Sequence, residues 1–332
     1  MIQPVPGLPA LQVAIVVPVY NEAEAVIAFH QQLCQAVDGL PHAFTFWYVN
    51  DGSTDNTAQV LAQIAQGEPR MRIIELSRNF GHQAALTAGL DQAEGDCVIT
   101  MDGDGQHPPA LIGEMLQQAQ AGYDIVLTQR IEERQVSAFK RWTSALFYRL
   151  INRVGDTHIL PGSADFRLLT RSVVRSLRGM REYHRLLRGM VAWMGYRTVI
   201  LPYQPPARLA GESKYSLGKM LRLAMDAVFS FSLAPLYFGI SVGALFLVLA
   251  LAEMIYVLSF WVTGQQAGLA PGWSSLMFVL LVVGGSLMVT MGFIGIYVGY
   301  IFQEVKRRPL YLVRRTWPED AAPASQSEAR NG

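Results

Sequence analysis

The sequence predicts an α/β fold, a mostly parallel sheet covered by helices on both faces, followed by a pair of membrane-spanning helices. Three observations carry this prediction. Short continuous apolar runs alternate with amphipathic stretches through the first part of the chain, the pattern of parallel strands buried on both faces. Polar clusters follow each of the first four runs, where ligands of such sheets bind. Residues 227–303 carry a single formal charge, Glu253.

The apolar, β-branched and aromatic runs place strands at 13–17, 44–50, 72–76, 96–101, 124–128 and 198–201. Amphipathic spacing places helices between them at 22–36, 56–66, 83–92 and 109–120. The loops at the strand ends read "PVYNE" (18–22), "DGSTDNT" (51–57), "SRNFGHQ" (77–83) and "DGDGQH" (102–107). Residues 233–262 and 275–302 are apolar over more than the roughly 20 residues a membrane helix needs. Their connector, "TGQQAGLAPGW", has no Lys or Arg, whereas Lys214, Lys219 and Arg222 precede the pair. Lys306, Arg307, Arg308, Arg314 and Arg315 follow it. The positive-inside rule puts both flanks in the cytoplasm. Residues 213–230, "SKYSLGKMLRLAMDAVFS", combine an apolar stripe with basic faces, as an interfacial helix does.

Four segments are expected: a cytoplasmic domain at 1–212, the interfacial helix at 213–230, the hairpin at 231–303 and a basic cytoplasmic tail at 304–332. Glu253 within the first span reads as a paired or protonated helix contact, or as a group that handles lipid. Gly284, Gly285, Gly292 and Gly295 allow close helix packing, between protomers or within the hairpin. A net charge of +1 argues against a nucleic-acid partner. Cys34 and Cys97 stand in apolar surroundings without metal-ligand spacing and read as buried, reduced thiols. The start, "MIQPVPGLPALQ", lacks the pattern of a signal peptide, so the first domain is expected to stay in the cytoplasm.

The sharpest chemical question lies in "TMDGDGQHPP" (100–109). A calcium loop beginning at Asp102 would need Gly at 107 and an acid at 113, where the chain has His107 and Gly113. A phosphorylated-aspartate loop, D-x-D-x-[TV], would need Thr or Val where Gln106 stands. A polar turn and a divalent-metal site remain. Mg²⁺ or Mn²⁺ takes one or two carboxylates together with substrate phosphates.

Six ordered segments, "IVVPVYNEAEAV", "VNDGSTDNT", "LSRNFGHQAALTAGLDQAEGD", "TMDGDGQHPP", "SADFRLLTR" and "GESKYSLGKM", resemble the motifs of the inverting family-two glycosyltransferases. More narrowly, they resemble those acting on polyprenyl phosphates, such as bactoprenol glucosyltransferases and dolichyl-phosphate mannose synthases. The resemblance covers about residues 14–315 and implies a nucleotide-sugar-binding sheet of the GT-A type. It implies that Pro18, Tyr20 and Glu22 hold the base and ribose and that Asp51 accepts from the base, with Arg78, Asn79 and Gly81 near the nucleotide. It further assigns Asp104 and Gln106 to a Mg²⁺ or Mn²⁺ ion, with Asp102 supporting the metal or the donor sugar. Arg130, Ser163 and Arg167 would hold the acceptor phosphate, and Arg208 and Lys214 would close over the diphosphate. Lys140 and Arg141 would reinforce the lipid site or face headgroups. Asp165 is the candidate for orienting or deprotonating that phosphate, or for pairing with Arg167.

Where relatives commonly read D-A-D-L-Q, this chain reads D-G-D-G-Q, which implies a softer loop and a wider pocket. His82 reads as a packed loop residue rather than a base. The implied reaction moves a hexose from a nucleotide-sugar to undecaprenyl phosphate with inversion. UDP-glucose leads the donors, ahead of UDP-aminosugars and GDP-mannose. The implied place is the bacterial inner membrane, multi-pass, with the catalytic domain and both termini cytoplasmic. A processive polysaccharide synthase fits poorly, because Gln135 stands at the wrong spacing from Arg141-Trp142 for Q-x-x-R-W. A non-catalytic scaffold fits poorly because the acidic motif is intact.

Overall fold

Among the described residues the apolar runs become the centre of one eight-stranded sheet. The computed structural model describes residues 9–131, 163–183, 185–204, 234–264 and 272–318. The strands are β1 (Gln12–Val19), β2 (Ala43–Asn50), β3 (Met71–Leu76), β4 (Cys97–Thr100), β5 (Ile125–Arg130), β6 (Ser163–Thr170), β7 (Thr198–Tyr203) and β8 (Val313–Trp317), in the order β7-β5-β6-β4-β1-β2-β3-β8. Helices α1 (Val26–Val37), α2 (Thr57–Gly67), α3 (His82–Gln92), α4 (Ile112–Gln120), α5 (Arg171–Gly179) and α6 (Leu187–Trp193) cover it. A 3₁₀ turn at Pro109–Leu111 leads into α4.

Period-two alternation sorts each central strand onto two cores. Val13, Ile15 and Val17 of β1 join Phe44, Phe46 and Tyr48 of β2 under Val26, Phe29, Leu33 and Val37 of α1. Ala14, Val16, Trp47 and Val49 face the other way, onto Ala85, Leu86 and Ala88 of α3 and the apolar side of α5. Burial of a side chain such as Phe29 stabilises by about 1.5–3 kcal/mol. Gly89 of α3 has no room for a methyl group, since a Cβ there would lie 2.2 Å from Val16 Cγ1. The glycine lets α3 lie directly on β1.

Four of the seven strand pairs among the described residues are parallel, as expected, and three are antiparallel. Strands β4, β1, β2 and β3 are parallel neighbours, and β5 runs parallel to β7. Strand β6 runs antiparallel between β4 and β5, and β8 runs antiparallel on β3. Neither β6 nor β8 was expected from the sequence. In β6 the charges of Asp165 and Arg167 interrupt the apolar pattern, yet both side chains are buried against each other. In β8 two consecutive arginines hide a strand whose Arg315 donates to Glu75 at 2.8 Å. The segment expected as a basic tail therefore returns to the sheet.

The chain divides into a sheet unit (Met1–Asn152, Thr157–Ser216, Pro309–Gly332) and a helical unit (Arg153–Asp156, Leu217–Arg308). The helical unit contains α7 (Ala234–Val262) and α8 (Trp273–Val305). Among the described residues one stretch, Val282–Val305, is long and apolar enough to cross a membrane, and Leu236–Phe246 in α7 is a shorter apolar stretch. Two spans were expected from composition; one meets the criterion of length and apolarity. The two helices meet at Gly239, where a Cβ would lie 3.0 Å from Thr290 Cγ2. The four glycines singled out in the sequence make no contact within this chain that a Cβ would meet. The interfacial helix at 213–230 and the side chain of Glu253 lie outside the described residues.

Candidate active site

The loops at the carboxyl ends of β1, β2 and β3 are tied together by short polar side chains. Asn21, at φ +54°, donates its N–H to Ser53 Oγ at 3.0 Å and accepts the Thr54 N–H at 2.9 Å. Glu22, half-buried, donates its N–H to Thr57 Oγ1 at 3.0 Å. Gly52 has φ +63°, and a Cβ there would lie 2.3 Å from the Arg78 carbonyl carbon, so only glycine fits. Buried Asp51 accepts the Phe80 N–H at 2.7 Å on one oxygen and the Gly81 N–H at 2.9 Å on the other. Burial raises its pKa against the pull of those N–H groups. The carboxylate expected to read the donor base thus also anchors the loop after β3. Pro18 lies in β1, Tyr20 is exposed, and Arg78 lies over the Phe80 ring at 4.1 Å.

The acidic loop leaves β4 through buried Met101. His107 Nδ1 accepts the Asp102 N–H at 2.8 Å, and its ring stacks on Phe166 at 5.3 Å. Burial lowers the His107 pKa, consistent with a neutral ring whose Nδ1 accepts. The two unusual glycines now have causes. Gly105 has φ +78°, a conformation that side chains rarely adopt. A Cβ at Gly103 would press on Val19 Cγ1 at 3.2 Å and Val17 Cγ1 at 3.4 Å. Asp104 Oδ1 accepts the Gln106 N–H at 3.0 Å, and Gln106 Oε1 accepts from Arg130 Nη1 at 3.1 Å. Arg130, expected at the acceptor phosphate, is exposed and stands beside the expected metal loop.

Asp165 is the hub of the site. Arg167 donates to its Oδ1, and Arg188 forks onto it through Nε at 3.1 Å and Nη2 at 2.8 Å. His82 Nε2 stands 3.4 Å from Asp165 Oδ2 and 3.4 Å from Asp102 Oδ1. Burial works against the Asp165 carboxylate, but Arg167, His82 and Arg188 hold its pKa well below the usual range. The His82 side chain is 41% exposed; desolvation of its ring lowers the pKa, but the contacts with Asp165 and Asp102 outweigh it and the net shift is upward. Buried Arg167 is committed to Asp165. Only the backbone of Ser163 is described, paired with Gln129. Arg208, Lys214, Lys140 and Arg141 lie outside the described residues. His82, His107, Arg188 and Tyr203 escaped the sequence reading as site residues. Tyr203 packs edge-on against His107 at 6.3 Å. His82 was visible in "FGHQ" at the mouth of a strand; Arg188 gave no signal.

Comparison with known proteins bears on this array. The model of glycosyl transferase family 2 matches residues 14–178. An uncharacterized glycosyltransferase, YkcC of Bacillus subtilis, is 38% identical over 307 residues, covering 92% of this chain and 94% of its own. The chain belongs to glycosyl transferase family 2. A prophage bactoprenol glucosyl transferase homolog of Escherichia coli is 32% identical over 308 residues, 92% of this chain and 99% of its own. Among solved structures, mannosyl-3-phosphoglycerate synthase from Rubrobacter xylanophilus aligns over 66% of this chain and 72% of its own, with 18% identity and a TM-score of 0.47.

A family-two enzyme of this type implies a divalent cation, and the residues present fit one. Asp102 Oδ1 is buried without a hydrogen-bond partner, with His82 Nε2 3.4 Å away, and a carboxylate with an unsatisfied oxygen is stabilised by a cation. Asp104 uses one oxygen for Gln106 N–H, which leaves the other for a cation. Gln106 is a weaker candidate, because its carbonyl already accepts from Arg130. A second cluster, His30, Cys34 and Glu68, brings ligand atoms within 4.8 Å of one another. There Arg70 donates to both Glu68 oxygens at 2.8 Å, so a guanidinium already fills the cation position. Cys34, expected in apolar surroundings, sits in this polar group, where burial pushes its pKa up to about 11.

Proposed function

We propose that the protein transfers a hexose from a nucleotide-sugar, UDP-glucose foremost, to a polyprenyl phosphate at the cytoplasmic face of the membrane, inverting the anomeric centre. The observation that carries this is the match to relatives named bactoprenol glucosyl transferase over 92% of the chain, a length that takes in α7 and α8. The topology supports a membrane hairpin. Strand β7 precedes the helical unit and β8 follows it, and both belong to one sheet. A sheet lies on one side of a bilayer, so the chain between them crosses an even number of times. If α8 spans, a second crossing would accompany it, and among the described residues α7 is the candidate. The basic flanks support a sheet on the cytoplasmic side.

In the reaction a phosphate oxygen of the lipid attacks the anomeric carbon while the bond to the nucleoside diphosphate breaks. A single displacement inverts the centre, so an α-linked donor gives a β-linked product. Asp102 and Asp104 would hold Mg²⁺ or Mn²⁺, which supplies charge stabilisation to the departing diphosphate. Arg130, exposed beside the acidic loop, meets the acceptor phosphate with its fork of donors. Asp165 is ionised but, with its depressed pKa, a poor proton acceptor. Its role is to fix Arg167, Arg188 and His82 around the reacting groups.

The test is purified full-length protein in detergent with undecaprenyl phosphate and a panel of UDP-hexoses, UDP-aminosugars and GDP-mannose. The expected result is β-linked lipid-phosphate sugar from one α-linked donor. Transfer should stop with chelator and return with Mg²⁺ or Mn²⁺. Retention of configuration, or no transfer from any donor by folded protein, would overturn the proposal.

A further inference from the structure

We propose that His82 is a positioning residue that ties the donor-side carboxylate Asp102 to the acceptor-side carboxylate Asp165, so that one imidazole sets the spacing of the two halves of the site. The inference rests on the transfer reaction proposed above and adds a residue to which that reading gives no separate role.

The geometry is asymmetric. Asp165 is 4% exposed and fixed by two guanidinium groups. Asp102 is held by its backbone, through the bond to His107, and its Oδ1 is buried without a hydrogen-bond partner. His82 Nε2 faces that oxygen and Asp165 Oδ2, each at 3.4 Å. A separation of 3.4 Å is long for an N–H···O bond, and contacts of this kind tighten when the reacting complex forms. One N–H serves one acceptor well, so closure on Asp102 draws the donor carboxylate toward the fixed Asp165.

The backbone of His82 is set from the other side of the donor site. It opens α3 directly after Gly81, whose N–H is held by Asp51 at 2.9 Å and whose carbonyl accepts the Ala84 and Ala85 N–H groups at 3.0 and 3.1 Å. Asp51, Gly81, His82, Asp102 and Asp165 therefore form one connected chain from the expected base pocket to the acceptor carboxylate. A histidine with only a packing role would have no reason to face two carboxylates with one ring nitrogen.

The experiment compares His82→Ala and His82→Gln in the full-length protein, using undecaprenyl phosphate and the donor that supports wild-type transfer. Glutamine reaches about as far as Nε2 and keeps an N–H donor there. His82→Ala should lower kcat about 10–100-fold, with the donor KM within about twofold of wild type. His82→Gln should recover most of the lost kcat at an unfolding temperature close to wild type. Wild-type kcat in His82→Ala overturns the proposal. So does an equal loss in both variants accompanied by an equal drop in unfolding temperature, which marks a packing role. Transfer by the wild type in the same assay tests the proposed function separately. Its failure would remove that reading, whereas active wild type with indifferent His82 variants removes only the positioning role.

Discussion

Two polar clusters in the sheet unit use the same chemistry to opposite ends. Each contains a histidine, a carboxylate and an arginine. Near the amino ends of the parallel strands, Glu68 gives both oxygens to Arg70, and His30 is placed between Tyr48 OH at 3.0 Å and Cys34 Sγ at 3.5 Å. At the carboxyl ends, Asp165 is equally saturated, but Asp102 beside it keeps a buried oxygen without a hydrogen-bond partner. The first cluster closes on itself and holds the fold. The second leaves one acceptor open where the sheet architecture places ligands. A composition of His, Arg and Asp does not make a site; an unsatisfied valence at the ligand end of the strands does.

The comparison breaks most cleanly at the acidic loop. Asp104→Ala should lower kcat/KM for sugar transfer by about 10³-fold with little change in unfolding temperature, because Asp104 is only half-buried and, among the described residues, bonds to the Gln106 N–H within its own loop. Near-normal transfer would return the acidic loop to the status of a polar turn. Arg167→Ala should act on stability as well. It leaves buried Asp165 with Arg188 as its remaining guanidinium, and losing one partner of a buried pair costs about 3–5 kcal/mol. Thermal unfolding of the variant in detergent measures it. A loss below about 1 kcal/mol would mean that Arg188 alone compensates the charge.

The same contrast shows what the sequence could and could not reveal. Strands β1 to β5 and their loops were legible because hydrophobic periodicity is local and the polar clusters follow each strand directly. Strand β6 was not, because its buried ion pair, Asp165 with Arg167, looks like a loop until the two charges are seen to neutralise each other. The acidic residues were readable as a motif, whereas the cause of the glycines around them lies in backbone angle and in the neighbouring strand. Arg188 reaches Asp165 across 23 residues and His82 comes from a different loop. No spacing rule announces such convergence. The long apolar stretch of α8 was legible from composition, yet the return of the chain to β8 depends on pairing with β3, which composition does not encode.

The closed cluster offers the mildest test and the one that separates structure from function. Hydrogen bonds from Arg70 lower the Glu68 pKa from 4.5 to about 2, against the opposing effect of burial. A lowered carboxylate pKa means the folded state binds its proton less readily than the unfolded state. The contribution is therefore full above about pH 4.5 and is lost as pH falls through about 2. Arg70 is one-third exposed, so solvent screening reduces the effect to about 1 kcal/mol. Arg70→Ala should lower the unfolding midpoint at pH 7 by that amount, and the gap to wild type should narrow as pH drops from 4.5 toward 2. Sugar transfer at moderate temperature should stay at the wild-type rate. A variant that loses transfer while keeping its unfolding midpoint would show the two clusters to be coupled, and the division between the scaffold end and the chemical end of the sheet would have to be withdrawn.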